Sequence, residues 1–146
     1  MQIGDAQGSS RRLLLVAAAA LIDGMGRVLI TQRPDHKSLG GLWEFPGGKV
    51  EAGESPEAAL IRELKEELEV LVEPDALDPF AFGSHSYADF HLLMPLYVVT
   101  RWQGAPVPHS DAVQALAWVK PAELRNYPMP PADVPLVERI VQREGA

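Results

Sequence analysis

The first long apolar run of the chain lies close to its beginning and is followed by a turn signal. Leu13 to Ile22 is almost uninterrupted apolar sequence, and Asp23 to Gly26 is rich in turn residues. Arg27 to Arg33 has the pattern of a returning strand, so this region predicts a β-hairpin. The basic pair at 11–12 before the first run also resembles a signal peptide. We favour the strand, because removal of a signal would leave the second strand without its partner.

A helical period replaces this pattern in the middle of the chain. Ser55 is a typical N-cap residue and Pro56 suits the first helical position, so a helix should begin here and run to about Leu68. Apolar residues recur at helical spacing and predict one buried face: Leu60, Ile61, Leu64 and Leu68. Three carboxylates share another face of the same helix: Glu63, Glu66 and Glu67.

The rest of the chain predicts further strands. Pro79 to Phe90 and His91 to Thr100 have the pattern of a second hairpin or meander. Pro95 inside the second segment predicts an edge position or a bulge, because proline cannot donate to a strand ladder. Short strands are also predicted at Val70 to Val72 and at Ala115 to Val119.

A second helix is predicted near the C-terminus, after a single helical turn at Pro121 to Leu124. Asp133 is its expected N-cap, and Pro135 lies in its first turn. Its apolar stripe consists of Leu136, Val137, Ile140 and Val141. Strands with two well-separated helices predict an α/β fold, a sandwich in which both main helices pack on sheet.

Composition narrows the class of protein. The 146 residues suit one domain, which we place at 11–146 after a loose tail at 1–10. A net charge of −7 disfavours binding to a nucleic acid polymer, whose affinity comes from lysine and arginine. The absence of cysteine excludes disulfides and thiolate chemistry, and fits a cytoplasmic protein. The apolar run near the N-terminus is too short to span a membrane, so no membrane partner is expected.

The acidic helix face has two interpretations. Like charges three and four positions apart repel one another, and a bound cation would remove that penalty. Carboxylate oxygens are hard ligands, which points to Mg²⁺, with Mn²⁺ as a second choice. The helix by itself leaves open the alternative of a solvated acidic surface.

The residues before this helix favour the metal, because the whole segment resembles the Nudix box. That motif reads G-x5-E-x7-R-E-U-x-E-E-x-G-U, where U is an aliphatic residue. Eight of its nine defined positions agree with the segment from Gly48 to Val70. Leu42 to Lys49, and the segment from Tyr127 to Pro135, are similar to the MutT branch of the family. The resemblance covers about residues 13 to 142.

The resemblance implies a Nudix α/β/α sandwich with a mixed sheet. It also implies hydrolysis of an oxidised or modified nucleoside triphosphate, with attack on the β-phosphorus separating pyrophosphate from the monophosphate. Such a reaction would cleanse the nucleotide pool and protect DNA. The small nucleotide is then the expected partner of a monomer or homodimer.

The resemblance also assigns roles to individual residues. The implied metal ligands are Gly47, Glu63, Glu66 and Glu67. The implied catalytic residues are Glu63, Glu66, Glu54 and Arg62, with Arg62 holding a carboxylate in place through paired hydrogen bonds. The implied substrate-binding residues are Arg33, Glu44, Phe45, Pro46, Gly48 and Asp133. Trp43 is expected to pack in the protein and not to stack on the base.

The sequence departs from the family pattern in three ways. Glu69 replaces a glycine that ends the helix, at a cost of about 1 kcal/mol if the residue is left-handed. The family often supplies one more acid from a later loop, where this chain offers only Asp111, about one position out of register, or His109 as a base. Asp133 stands where MutT proper has an asparagine, and Phe90 lies near an expected arginine.

Asp133 affects the expected substrate. An ionised aspartate only accepts hydrogen bonds, so it suits the amino group of cytosine or the N7–H of 8-oxoguanine. It would oppose the O6 of guanine unless it were protonated. Modified cytosine nucleotides, or a broad set of damaged triphosphates, are therefore expected. Other Nudix substrates, such as a nucleotide sugar or a dinucleoside polyphosphate, and a non-catalytic regulatory domain remain as alternatives.

Overall fold

A computed structural model describes residues 11–109 and 111–145. The loose tail predicted at 1–10 lies outside the described residues. The described chain forms these strands and α-helices: β1 (Arg12–Leu21), β2 (Val28–Gln32), β3 (Trp43–Glu44), β4 (Gly47–Lys49), α1 (Pro56–Leu68), β5 (Asp78–Ser86), β6 (Phe90–Val99), β7 (Ala115–Val119) and α2 (Val134–Gly145). Two short 3-10 helices span Pro74–Ala76 and Pro121–Asn126, the second where a single turn was predicted.

The strands form two sheets with the helices on opposite sides of the larger one. The orders are β4-β1-β6-β5 and β3-β2-β7, and β1 pairs with β6 in parallel while the other neighbours are antiparallel. Successive residues of β1 contribute to two separate cores: Ala18 packs with Leu136 of α2, and Ala17 with Leu60 of α1. The alternation follows from the two-residue period of a strand. The predicted α/β/α sandwich with a mixed sheet is confirmed.

The first predicted hairpin is formed only at its turn. Asp23 and Arg27 are joined by a backbone hydrogen bond of 3.0 Å, and Ile22 bridges Val28. Beyond that bridge β1 and β2 enter different sheets. The first apolar run is thus a strand, as expected, but β4 and β6 are its ladder partners and β2 is not.

Pro95 is not at an edge, so the edge alternative of that prediction was wrong. Strand β6 lies between β1 and β5. The pairing of β6 with β1 stops at the Leu15–Leu93 pair and resumes at the Ala18–Leu96 pair. Pro95 lies in the gap between them, where the ladder is interrupted. The bulge lies in the neighbouring strand β5. The segment at 70–72 is likewise no strand; Leu71 makes one isolated bridge to Gln103.

Helix α1 begins and ends as its sequence predicts. The Ser55 side chain accepts a hydrogen bond of 3.0 Å from the Ala58 N–H, and Pro56 is the first helical residue. Glu69 ends the helix in the left-handed region with φ of 59°, where the family has glycine. Its N–H donates to the carbonyls of Leu64 and Lys65, so the ending is the usual one despite the side chain.

The loop between β6 and β7 covers this end of α1. The Val107 N–H donates to the Leu68 carbonyl at 3.0 Å, and the His109 N–H donates to the Glu67 carbonyl at 2.9 Å. These carbonyls belong to the last turn of α1, where carbonyl groups have no hydrogen-bond donors within the helix. The loop therefore completes the hydrogen bonding of the helix that carries the acidic face. No described helix is long and apolar enough to cross a membrane.

Candidate active site

A cleft connects the acidic face of α1 with the start of α2. Its wider part is a cavity of about 390 Å³ that reaches Asp133, and an adjoining polar part of about 250 Å³ reaches Glu63 and Glu67. Both parts are lined by Arg33, Glu44, Gly47, Gly48 and Lys49. The larger cavity is of the size that takes a small molecule. One end of the cleft is thus apolar and the other is charged.

The two glycines of β4 are explained by close contacts. A side chain at Gly48 would begin 2.3 Å from the Glu63 carboxyl carbon, so glycine leaves room for that carboxylate. A side chain at Gly47 would begin 2.0 Å from the Ala17 carbonyl oxygen of β1. The structure therefore requires glycine at position 47 for the packing of two strands, whatever its carbonyl binds.

Two of the three carboxylates of α1 converge in the polar part of the cleft. The Glu63 side chain is 15% exposed and lies with Glu67 beside the two glycines. Burial raises the pKa of Glu67, and the negative charges of Glu63, Glu44 and Glu66 raise it further. These carboxylates repel one another, and a divalent cation would relieve that repulsion.

Glu66 lies apart from this pair. Its side chain is 59% exposed, is 3.5 Å from the Arg62 guanidinium and lines a neighbouring groove with Lys65 and His109. Across 11–109 and 111–145, no three acidic or histidine side chains converge closely enough to form a ready cation site. The implied ligand set of four residues is therefore not assembled in this conformation and stays a prediction.

Arg62 holds the carboxylates in place. Its Nε and Nη2 atoms donate to the two Glu54 oxygens at 2.7 and 2.9 Å, and its Nη1 donates to Glu63 at 3.1 Å. The paired bonds from Arg62 lower the pKa of Glu54 to about 2. A further bond joins Arg62 to the Lys49 carbonyl, next to the glycines. Arg62 is thus more than an exposed partner of Glu66, because it ties the loop before α1 to Glu63.

Arg33 and Glu44 line both parts of the cleft. The Arg33 Nη1 atom is 3.4 Å from a Glu44 oxygen, and its Nε donates to the Ser38 carbonyl at 2.8 Å. Burial raises the pKa of Glu44, while the positive charge of Arg33 opposes that rise. Arg33 therefore lies between the apolar and the charged ends of the cleft.

The backbone after Glu44 is already engaged within the protein. The Phe45 N–H donates to Asp133 at 3.3 Å, and the Pro46 carbonyl accepts from the Ala19 N–H at 2.9 Å. Phe45 lines the larger cavity, whereas Pro46 does not. The Phe45 N–H and the Pro46 carbonyl are thus already hydrogen-bonded within the protein, and the substrate-binding roles of these residues stay predictions. Trp43 packs edge-on against Tyr127, as predicted for a packing residue.

Asp133 is 4% exposed and lines the larger cavity. Its backbone carbonyl accepts from the N–H groups of Leu136 and Val137 at the start of α2, while its side chain reaches Phe45. Burial raises the pKa of Asp133 to about 7, and the charge of Glu44 adds to the rise. The residue thus begins the helix and faces the cavity.

This buried acid predicts a pH dependence of stability. A raised folded-state pKa means that its full contribution is present below the unfolded pKa near 4 and is lost as pH rises through about 7. Between pH 4 and pH 8, wild type should lose roughly 2–4 kcal/mol of unfolding free energy relative to Asp133→Asn. Asparagine still offers an oxygen to the Phe45 N–H. Urea unfolding of both proteins across this range measures the difference, and parallel curves would contradict the buried titration.

Neither candidate from the later loop joins the cleft through its side chain. The His109 ring pairs with the Glu69 carboxylate and lines the groove beside Lys65, away from Asp133. Asp111 is exposed, although the next residue, Ala112, lines the polar part of the cleft. Their suggested roles therefore stay predictions without a supporting contact.

Phe90 was singled out in the sequence, but several other residues of the larger cavity were not predicted from it. Tyr87 stacks on Phe90 with ring centroids 5.1 Å apart, and both line the cavity with Leu39. Leu14 and Met94 add apolar wall from β1 and β6. The strand pattern placed such residues on a face, but the register that brings different strands together is not visible in any one segment.

Comparisons with known proteins agree with this geometry. A NUDIX domain model matches residues 17–139. The Escherichia coli CTP pyrophosphohydrolase is 36% identical over 133 residues, covering 91% of this chain and 96% of that protein. The 8-oxo-dGTP diphosphatase of the same species is 31% identical and covers 87% and 95%.

A solved structure supports the same assignment. The solution structure of the Escherichia coli ORF135 protein superposes with a TM-score of 0.78 at 35% identity, covering 91% of each chain. The fold, the box residues around the cleft and these relatives lead to one conclusion. The chain belongs to the Nudix hydrolase family and is a pyrophosphohydrolase of the MutT type.

Proposed function

We propose that the chain is a Mg²⁺-dependent enzyme that converts oxidised or modified nucleoside triphosphates to the monophosphate and pyrophosphate. The observation that carries this proposal is the two-part cleft, with a buried acid and aromatic side chains at one end and paired carboxylates at the other. A nucleoside triphosphate has a matching arrangement: an aromatic base with a polar edge at one end, then the sugar, and a charged phosphate chain at the other end. Removal of damaged nucleotides from the pool would be the biological role.

The residues of the charged end fit a hard divalent cation. Glu63 and Glu67 would hold it, with Glu66 joining after rotation of its exposed side chain and Gly47 offering a carbonyl. Mg²⁺, or Mn²⁺ in its place, neutralises phosphate charge and makes a bound water more acidic. Glu54 and Arg62 would keep Glu63 in position through the hydrogen bonds already present.

The net reaction breaks the anhydride bond between the α- and β-phosphates, with water supplying the new oxygen. Arg33 lies between the two ends of the cleft and would contact the phosphate chain or sugar. A guanidinium is well suited to that contact because its planar donors match phosphate oxygens. Gly48 leaves space for the Glu63 carboxylate next to the bond that is cleaved.

The ionisation behaviour of Asp133 supports the proposal that the enzyme accepts a broad range of damaged bases. With a pKa of about 7, both of its protonation states are populated near neutral pH. The ionised acid accepts from the amino group of cytosine or from N7–H of 8-oxoguanine, and the protonated acid donates to O6. The names of the two Escherichia coli relatives, a CTP pyrophosphohydrolase and an 8-oxo-dGTP diphosphatase, include both kinds of base.

A substrate panel tests the proposal. We expect pyrophosphate and a monophosphate from an oxidised cytosine triphosphate and from 8-oxo-dGTP, with lower kcat/KM for the undamaged CTP and dGTP. A nucleotide sugar and a dinucleoside polyphosphate serve as comparison substrates. Pyrophosphate and phosphate are measured separately at early times with Mg²⁺ present. Phosphate as the first product, or faster cleavage of either comparison substrate, would contradict the proposal.

A further inference from the structure

The loop between β2 and β3 carries a leucine in an unusual backbone conformation. Leu39 has φ of 58°, in the left-handed region that β-carbon contacts make unfavourable for residues other than glycine. The residue is 45% exposed, although its side chain is large and apolar. The left-handed backbone and the exposure of an apolar side chain are both unfavourable, and a glycine at this position would remove both costs.

The loop around Leu39 is tightly held. The Leu42 N–H donates to the Leu39 carbonyl at 3.3 Å, which closes a turn with Gly41 at φ of 82° in its third position. A side chain at Gly40 would begin 2.4 Å from the Asp35 carbonyl oxygen, so the residue after Leu39 packs closely against the backbone at the start of the loop. The direction of the leucine is therefore set by the loop.

The same loop is joined to a residue that spans both parts of the cleft. The Arg33 Nε donates to the Ser38 carbonyl at 2.8 Å, and the Arg33 carbonyl accepts from the Gly41 N–H at 2.9 Å. Leu39 lies between these two attachment points. Its position is thus tied to that of Arg33, which faces the cleft.

Leu39 lines the larger cavity together with Tyr87 and Phe90. These two residues belong to a distant part of the sequence, at the turn between β5 and β6. The two aromatic rings are stacked, 5.1 Å between centroids and 27° between planes. An apolar side chain and an aromatic pair in one cavity with a buried acid are suited to a flat heteroaromatic ring with a polar edge.

Unfavourable backbone conformations that persist in a well-held loop commonly belong to binding sites. We propose that Leu39 is a base-contacting residue that helps set nucleotide specificity, and that its left-handed conformation is retained for this contact. The inference rests on the proposed function, since it assigns Leu39 to the base of the same nucleotide substrate. Base binding covers the leucine and offsets its exposure in the free protein.

Binding of products tests this without requiring turnover. Calorimetric titration with CMP and with 8-oxo-dGMP gives the base-dependent affinity, and ribose 5-phosphate is the matched probe without a base. Leu39→Gly and Leu39→Ala should raise the Kd of the better-bound monophosphate about tenfold, as expected for loss of an apolar contact of this size. The Kd of ribose 5-phosphate should stay the same.

Leu71 supplies a matched control, because it is 46% exposed and lies in a different groove beside Trp102. Leu71→Ala should leave both affinities at the wild-type value. Leu39→Gly should also melt about 2–4 °C above wild type, because glycine accepts the left-handed conformation. A residue kept only for the fold would show the reverse, a lower melting temperature with normal binding.

The outcomes separate the two proposals. Wild-type monophosphate affinity in Leu39→Gly, or an equal loss for ribose 5-phosphate, would overturn the role of Leu39. Base-dependent loss of binding together with no pyrophosphate release by wild type would support Leu39 and overturn the proposed reaction. A wild-type protein that binds neither monophosphate would overturn the role of Leu39, and pyrophosphate release by the same protein would still support the proposed reaction.

Discussion

Replacing Glu67 by glutamine should reduce pyrophosphate release by on the order of 10²–10³-fold, the scale found when one electrostatic group is removed from a developing charge. Glutamine keeps the shape of the side chain but removes the negative charge that we assign to cation binding. The fold should persist, because the substitution also relieves repulsion between Glu67 and Glu63. Initial rates at saturating Mg²⁺, with melting temperature measured in parallel, give the result.

Glu123→Gln is the control for this substitution. Glu123 is exposed in the 3-10 helix at Pro121–Asn126 and lines neither part of the cleft. It should retain the wild-type rate. Full activity in Glu67→Gln would rule out its assignment as a metal ligand.

Removal of divalent cations should abolish turnover, and return of Mg²⁺ should restore it. The binding itself should be measurable without activity, because a ligand that binds only the folded state stabilises it. At 100 times its Kd, Mg²⁺ should contribute about 2.7 kcal/mol, or roughly 5–11 °C in melting temperature. The convergence of Glu63 and Glu67 in one pocket is the structural reason.

The specificity of that stabilisation can be checked with two comparisons. Glu67→Gln should lose most of the Mg²⁺-dependent shift, and an equal ionic strength of NaCl should not reproduce the shift in wild type. An unchanged shift in the variant would place the cation elsewhere in the protein. Turnover in the presence of excess chelator would contradict metal dependence itself.

The fold was largely predictable because most of its elements carry local signals. The cap at Ser55 and the apolar spacing of α1 gave the helix its correct bounds, and β7 agrees residue for residue with the predicted strand. The pairing of strands was less accessible. Nothing local shows that β1 continues into a parallel pairing with β6, because that choice depends on contacts between distant segments.

The residues of the candidate site likewise fall into those that local sequence predicted and those that it could not. The box fixes residues by spacing on one helix and one loop, so Glu54, Arg62 and Glu63 were found and do meet. The outward direction of Glu66 depends on rotamer and was not visible in the sequence. Leu39 was missed as well, because its importance lies in a backbone angle and not in residue type.

The loop that covers the end of α1 has a consequence for how this protein can vary. It joins β6 of one sheet to β7 of the other, and on the way its N–H groups at Val107 and His109 satisfy the last carbonyls of α1. Insertions are commonly tolerated in exposed turns such as Asp23 to Gly26. An insertion between Val107 and His109 would instead disturb the spacing of these two hydrogen bonds, one of which is accepted by the Glu67 carbonyl. The length of this connection is therefore fixed by the helix it covers and not by the distance it spans.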